Sequence, residues 1–266
     1  MIPLDADTLS QACLLLDGAV FDAPRFVYQN DDQPEIEYLF LGTAHQAAME
    51  ASPCLVRPSD TARLWQLQPE WQDKAVVLVS EHSLPVIAEH LRSLLSVRLP
   101  DGGYAYLRYY SPKQLRRLMC AFNDRERHYF SGPIREWLTF QPDEGYWARF
   151  PVEASQSTRT ASDEGWFTLT EQHVKALSDD ARSEFVEKLG RFLSISDRSQ
   201  LNHLIEEANR LGFRTEKDVS RYAELAMVYG DRIARPESQA ILSNPGLRTE
   251  SRLNALDKHL AYGVAR

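Results

Sequence analysis

Residues 75 to 79, Ala-Val-Val-Leu-Val, offer no polar side chain on either side of the backbone. Three of the five are β-branched, the run is short for a buried helix, and a surface strand would place polar residues at alternate positions. A strand dry on both faces is expected, and it needs a layer of structure above and below it. Cys13 to Leu16 is a second such run, closed by Asp17-Gly18, a turn signal.

The intervening and following residues supply those layers. Tyr38 to Leu41 is an apolar burst, residues 44–51 have helix-forming composition, and Pro53 precedes a strand-like Cys54-Leu55-Val56. Leu84, Ile87, Ala88, Leu91, Leu94 and Leu95 fall at helical spacing with Glu89 and Arg92 between them. Val97 to Leu99 and Ala105 to Tyr109 flank Pro-Asp101-Gly102-Gly, the chemistry of a tight hairpin turn. Ser111 is placed to cap a helix whose first residue is Pro112 and whose apolar face holds Leu115, Leu118 and Met119. Gly132-Pro133 interrupts the chain again, and Ile134, Trp137 and Leu138 are expected to resume a helical face.

Between residues 141 and 168 periodicity is lost in a polar stretch with two prolines. Beyond it Thr170 caps a helix that is expected to break at Ser178-Asp179, Leu201, Leu204, Ile205 and Ala208 make a second face closed by Gly212, and Asp218 to Tyr229 a third closed by Gly230. The expected architecture is an α+β or α/β N-terminal lobe, a small mixed sheet with flanking helices over residues 1–140, then a linker at 141–168 and an all-α lobe at 169–266.

Function classes narrow by composition. The chain has 266 residues and a formal net charge of −8, so polyanions such as nucleic acid are repelled by the mean field. No apolar window approaches the roughly 20 residues of a membrane helix, and the first residues carry no basic leader. Cys13, Cys54 and Cys120 are odd in number and unpaired in spacing, which points to buried free thiols and a cytoplasmic setting.

Chemical motifs are scarce. The seven histidines form no HExxH or Cys/His cluster, and no GxSxG, GxxxxGKS or GxGxxG occurs. His90 suits a hydrogen-bonded structural role. Asp17 follows an apolar strand, where a general-base carboxylate can sit, yet it can equally bind turn N–H groups or pair with an arginine such as Arg108. On a strand Tyr104, Tyr106 and Arg108 share one face, opposite Ala105, Leu107 and Tyr109, so only the first three are candidates to meet a partner. No catalytic residue, metal ligand or cofactor site is assigned. A hydrolase-like site near Asp17, Arg92 and Arg108 is the enzymatic alternative.

The order of the motifs adds to this. LLLDGA, YLFLGTA, SPCLV, HLRSLL, LPDGG, LRYYSPKQL and FSGPIREW, spread over residues 13 to 138, together resemble the domain of unknown function 4123 family, adaptors or chaperones for effectors of bacterial type VI secretion. The helical tail, with TLTEQHVKAL and DVSRYAELAMVYGD, looks like the region that follows this domain in the family. Members usually carry an aspartate before the proline and often an arginine after it, similar to LRFYDPR, where this chain has Ser111 and Lys113. The resemblance implies a cytoplasmic protein that binds a toxin and helps to load it on the VgrG spike, with no reaction and no cofactor; no nucleic acid partner or membrane span is expected, from the charge and the apolar windows above. An immunity-like toxin binder is a further alternative. Asp17, Gly18, Asp101, Gly102, Ser111, Pro112, Gly132 and Pro133 then serve the fold, while Tyr104, Tyr106 and Arg108 are candidate contacts. Tyr222, Leu225, Ala226 and Tyr229, at i, i+3, i+4 and i+7, are candidates to hold an amphipathic cargo helix in the second lobe, with internal packing as their plainer role.

Overall fold

The two apolar runs are the centre of a sheet: β1 (Ala12–Leu16) and β4 (Ala75–Val79) pair antiparallel with Leu14 opposite Val77, and all ten residues are buried. The computed structural model describes residues 2–153, 155 and 158–262. With β2 (Glu35–Tyr38), β3 (Cys54–Arg57), β7 (Glu136–Gln141) and β8 (Tyr146–Pro151) they form a six-stranded sheet in the order β2-β3-β1-β4-β7-β8. Every pairing in it is antiparallel, which makes the fold α+β. A hairpin of β5 (Ser96–Arg98) and β6 (Tyr104–Tyr106) stands apart from it.

Antiparallel sheets often leave one face wet, but here both are covered, and this is why β1 and β4 lack alternation. On one side Cys13, Leu15, Val76 and Leu78 pack with Leu84, Ile87, Ala88 and Leu91 of α4 (Leu84–Ser93), Leu115 and Leu118 of α5 (Pro112–Ala121), and Phe130 of α6 (Asp124–Ser131). On the other, Leu14, Leu16, Val77 and Val79 meet Phe26 and Val27 of α2 (Ala23–Asn30) and Trp71 of α3 (Gln68–Trp71). A short α1 (Ala6–Leu9) leads into β1.

Three local expectations are corrected. Trp137 and Leu138 lie on β7, not a helix: they enter opposite cores, the period-2 signature, and β4 and β8 satisfy the strand's backbone groups. Residues 46–51 form a 3₁₀ helix rather than an α-helix. The stretch 141–168 is no linker: it contains β8, and Phe167 and Leu169 belong to the first core. The chain divides instead into Met1–Leu177 and Ser178–Arg266, and α7 (Glu171–Leu193) runs unbroken through Ser178-Asp179. Residues 154, 156 and 157 of that stretch, and residues 1 and 263–266 of the two lobes, lie outside the described residues.

Two cysteines are buried as expected, and burial pushes the thiol of Cys13 up to about 11 and that of Cys54 up to about 12. Cys120 is a correction, because it lies on the exposed side of α5, opposite Leu115 and Leu118.

The second unit continues with α8 (Arg198–Arg210), α9 (Glu216–Tyr229), α10 (Pro236–Leu242) and α11 (Thr249–Tyr262). Side chains of Asp197 and Thr215 accept the N–H groups of Ser199 and Asp218, capping α8 and α9. Gly212 and Gly230, at φ +87° and +51°, end the helices where the sequence places them.

Gly132 has φ +52°, and a Cβ there would fall 2.4 Å from the His90 ring, so glycine is required both by the backbone and by the contact. His90 is buried, and its Nε2 lies 2.9 Å from the Phe130 carbonyl, an acceptor that fixes the proton on Nε2. Burial lowers the imidazole pKa to about 4. The unfolded chain binds a proton near pH ~6.5 and the folded chain does not, so this contribution is fully present above that pH and is lost as the pH falls toward 4. Urea unfolding at pH 7 and pH 4.5 should show wild type losing up to roughly 3 kcal/mol more than His90→Gln; parallel losses would mean that the ring titrates normally.

Candidate functional site

The exit of β1 is built around a close approach. A Cβ on Gly18 would sit 2.1 Å from the Ser52 carbonyl oxygen, so only glycine lets residues 51–53 pass there. The preceding Asp17 is buried at 3% exposure. Its Oδ1 accepts the Ala19 N–H at 3.0 Å and its Oδ2 accepts Arg108 Nη2 at 2.6 Å. The Arg108 side chain is 45% exposed, so a surface cation neutralises a buried anion. Burial opposes the guanidinium charge, but the Asp17 carboxylate outweighs it and the Arg108 pKa moves up.

β6 and α5 bring Arg108 there. The turn works as its chemistry suggests: Asp101 Oδ1 accepts the Gly103 N–H and Gly102 takes φ +86°. Tyr104, Tyr106 and Arg108 are exposed, Ala105 and Leu107 are half-buried, and Tyr109 is fully buried with its hydroxyl donating to the Leu91 carbonyl at 2.7 Å. Tyr104 is braced by Arg98, which donates to its hydroxyl at 3.1 Å. Ser111 occupies the N-cap position before Pro112 as expected, but its side chain makes no capping bond. Its backbone N–H donates to the Arg108 carbonyl at 3.0 Å and its carbonyl accepts from Leu115, which aligns α5 without the hydroxyl.

An aromatic collar surrounds the pair. The Tyr106 and Tyr110 hydroxyls are 2.7 Å apart, and the Arg108 guanidinium lies 5.6 Å from the Tyr110 ring centre. Phe40 and His45 flank Tyr106 with ring centres at 6.2 and 4.8 Å. Burial, reinforced by the Tyr110 contact, raises the Tyr106 pKa, and burial raises that of Tyr110, so both stay neutral phenols at physiological pH.

A cluster that sequence reading missed adjoins the collar. Ser96 Oγ donates to Glu164 Oε1 at 2.5 Å, and His45 Nε2 lies 2.9 Å from the same oxygen. Serine, histidine and glutamate are the residue types of an acyl-transfer triad, but here the carboxylate lies between hydroxyl and imidazole, so the order nucleophile, imidazole base, orienting acid is not formed. Separations of 68 and 119 residues left no spacing to recognise. Among the described residues no group of three or more His, Cys, Asp or Glu is placed to hold a metal ion.

The other candidates lie elsewhere. Arg92 is buried, donating to Glu89, Glu37 and the Tyr38 carbonyl at 2.8, 2.8 and 3.0 Å, which ties α4 to β2 rather than joining Arg108. In the second unit Tyr222 and Leu225 are buried in that unit's own core, with Ala226 and Tyr229 packed against it. Their stripe is the internal face of α9, a correction to its candidacy as an open groove. The exposed apolar residues of that helix are Met227 and Val228.

Removing Arg108 leaves Asp17 buried with the Ala19 N–H as its remaining hydrogen bond. Because half of Arg108 already meets water, the cost should be about 1–3 kcal/mol, below that of a wholly buried pair. Arg108→Ala should lower the urea midpoint of the first unit's unfolding; an unchanged midpoint would show that the pair carries no stability.

Three comparisons bear on identity. Residues 13–129, from β1 into α6, match the family described as Domain of unknown function (DUF4123). The whole chain is similar to the accessory protein VasW of Vibrio cholerae serotype O1, 24% identical with 97% of this chain and 90% of the relative covered. No solved structure matches. The segment similar to that family contains the Asp17–Arg108 corner and its collar, while Glu164 of the adjoining cluster lies beyond it.

Proposed function

We propose that the protein is an accessory protein of type VI secretion that binds a toxin in the cytoplasm of the producing cell and helps to load it on the VgrG spike, without a reaction of its own. The observation that carries this reading is the match of residues 13–129 to the DUF4123 family, in a chain similar from end to end to a protein named for an accessory role. Two features of the molecule support it. The polar side chains at the corner are engaged with one another rather than arranged as nucleophile, base and orienter. The exposed residues of β6 and of the segment that follows it set aromatic rings near an arginine, the composition favoured where proteins meet proteins. No helix among the described residues is long and apolar enough to cross a membrane.

The reading is tested by purifying the full-length tagged chain from its native cell and by deleting its gene. A toxin and VgrG should co-purify, and deletion should remove that toxin from the secreted fraction while other secreted components persist. Toxin export that continues unchanged without the protein would refute the loading role. Hydrolysis of an ester, peptide, phosphodiester or glycoside that disappears in Asp17→Ala would instead make the protein an enzyme.

A further inference from the structure

Some arginines of this structure each hold two carboxylates. Arg92 bridges Glu37 and Glu89, and Arg221 bridges Glu224 and Asp257. Arg108 is held by one carboxylate, that of Asp17, and its side chain is 45% exposed. We propose that Arg108 is the anchor for an acidic side chain of a protein partner, with Asp17 holding the guanidinium in place and the Tyr106 ring receiving the residue beside that acid. This rests on the partner-binding function proposed above and names the chemistry of one contact.

The geometry suits that occupant. A guanidinium carries five N–H donors in a rigid fork; Nη2 is committed to Asp17 and the fork also lies against Tyr110, which leaves further N–H donors for a second acceptor. Asp17 is itself fixed by the Ala19 N–H at the end of a fully buried strand, and Gly18 lies against Ser52, so the fork has little freedom left to lose when a second carboxylate arrives. A carboxylate can meet such a fork through paired hydrogen bonds. Tyr106 is 41% exposed, with its hydroxyl engaged by Tyr110 and its ring steadied by Phe40 and His45. It is thus a rigid apolar surface beside a cationic donor, the combination from which binding hot spots are built. A polyphosphate chain is a poorer occupant, since the protein carries net charge −8 and the site supplies a single arginine already next to an acid.

Val20 offers a probe that leaves the site intact: it is 61% exposed and its N–H bonds the Asp17 carbonyl. The full-length chain with p-benzoylphenylalanine in place of Val20 is irradiated in its native cell, and the cross-linked peptide is mapped. The expected result is a cross-link to another protein within a few residues of an Asp or Glu. Its yield should fall at least fivefold in Arg108→Gln. The same fall is expected in Arg108→Lys, which keeps the charge beside Asp17 and the fold but loses the fork. No cross-link, a cross-link to a segment without an acid, to a second copy or to lipid or nucleic acid, or a yield indifferent to both substitutions would overturn the inference. Co-purification of toxin and VgrG without the cross-link removes this inference alone. The cross-link with a partner unrelated to secretion removes the loading function alone.

Discussion

A carboxylate buried at the end of a central strand is costly unless a cation reaches it, and Asp17 is reached from 91 residues away by Arg108. That one contact links the exit of β1 to the segment between β6 and α5. Around it the chain has little latitude. Gly18 admits residues 51–53 only because it lacks a side chain, Tyr109 is locked to the Leu91 carbonyl under α4, and α5 starts from a backbone bond to Arg108 itself. The corner is therefore where the sheet, the separate hairpin and the helical layer are brought into register.

The same device recurs. Arg149 pairs with both oxygens of the buried Glu136 across β7 and β8, Arg92 ties α4 to β2, and Arg221 ties α9 to α11. Each joins elements distant in sequence through charges that are at least partly shielded, where a guanidinium counts for more than in an exposed surface pair. Arg108 differs in presenting much of its side chain to solvent near the exposed Tyr106. The fold-fixing contact and the recognition surface proposed above thus coincide.

Much of this was legible from residue types. β1 and β4 announced themselves by lacking polar positions, the β5–β6 turn by Asp101-Gly102, α4 by its leucine spacing, and the helical second unit by faces ending at Gly212 and Gly230. The Asp17–Arg108 pairing was one of the alternatives the sequence left open. What was not legible depended on tertiary partners. Trp137 and Leu138 become a strand because β4 and β8 bond to it, and β8 itself alternates buried and exposed residues too weakly to stand out in a polar stretch. The Ser96–Glu164–His45 cluster joins three segments with no common spacing. The stripe of Tyr222 and Leu225 was correctly periodic, but periodicity reveals a buried face without saying what buries it.

The claim at the centre of the account is that Asp17 and Arg108 act as one unit, in the fold and in recognition. A double-mutant cycle with Asp17→Asn, Arg108→Gln and the pair, read by urea unfolding and by affinity for the co-purifying partner, measures this directly. The expected result is a coupling of at least about 1 kcal/mol in stability, with either single substitution weakening the partner nearly as much as both together. Effects that add within about 0.5 kcal/mol in both readings would contradict it.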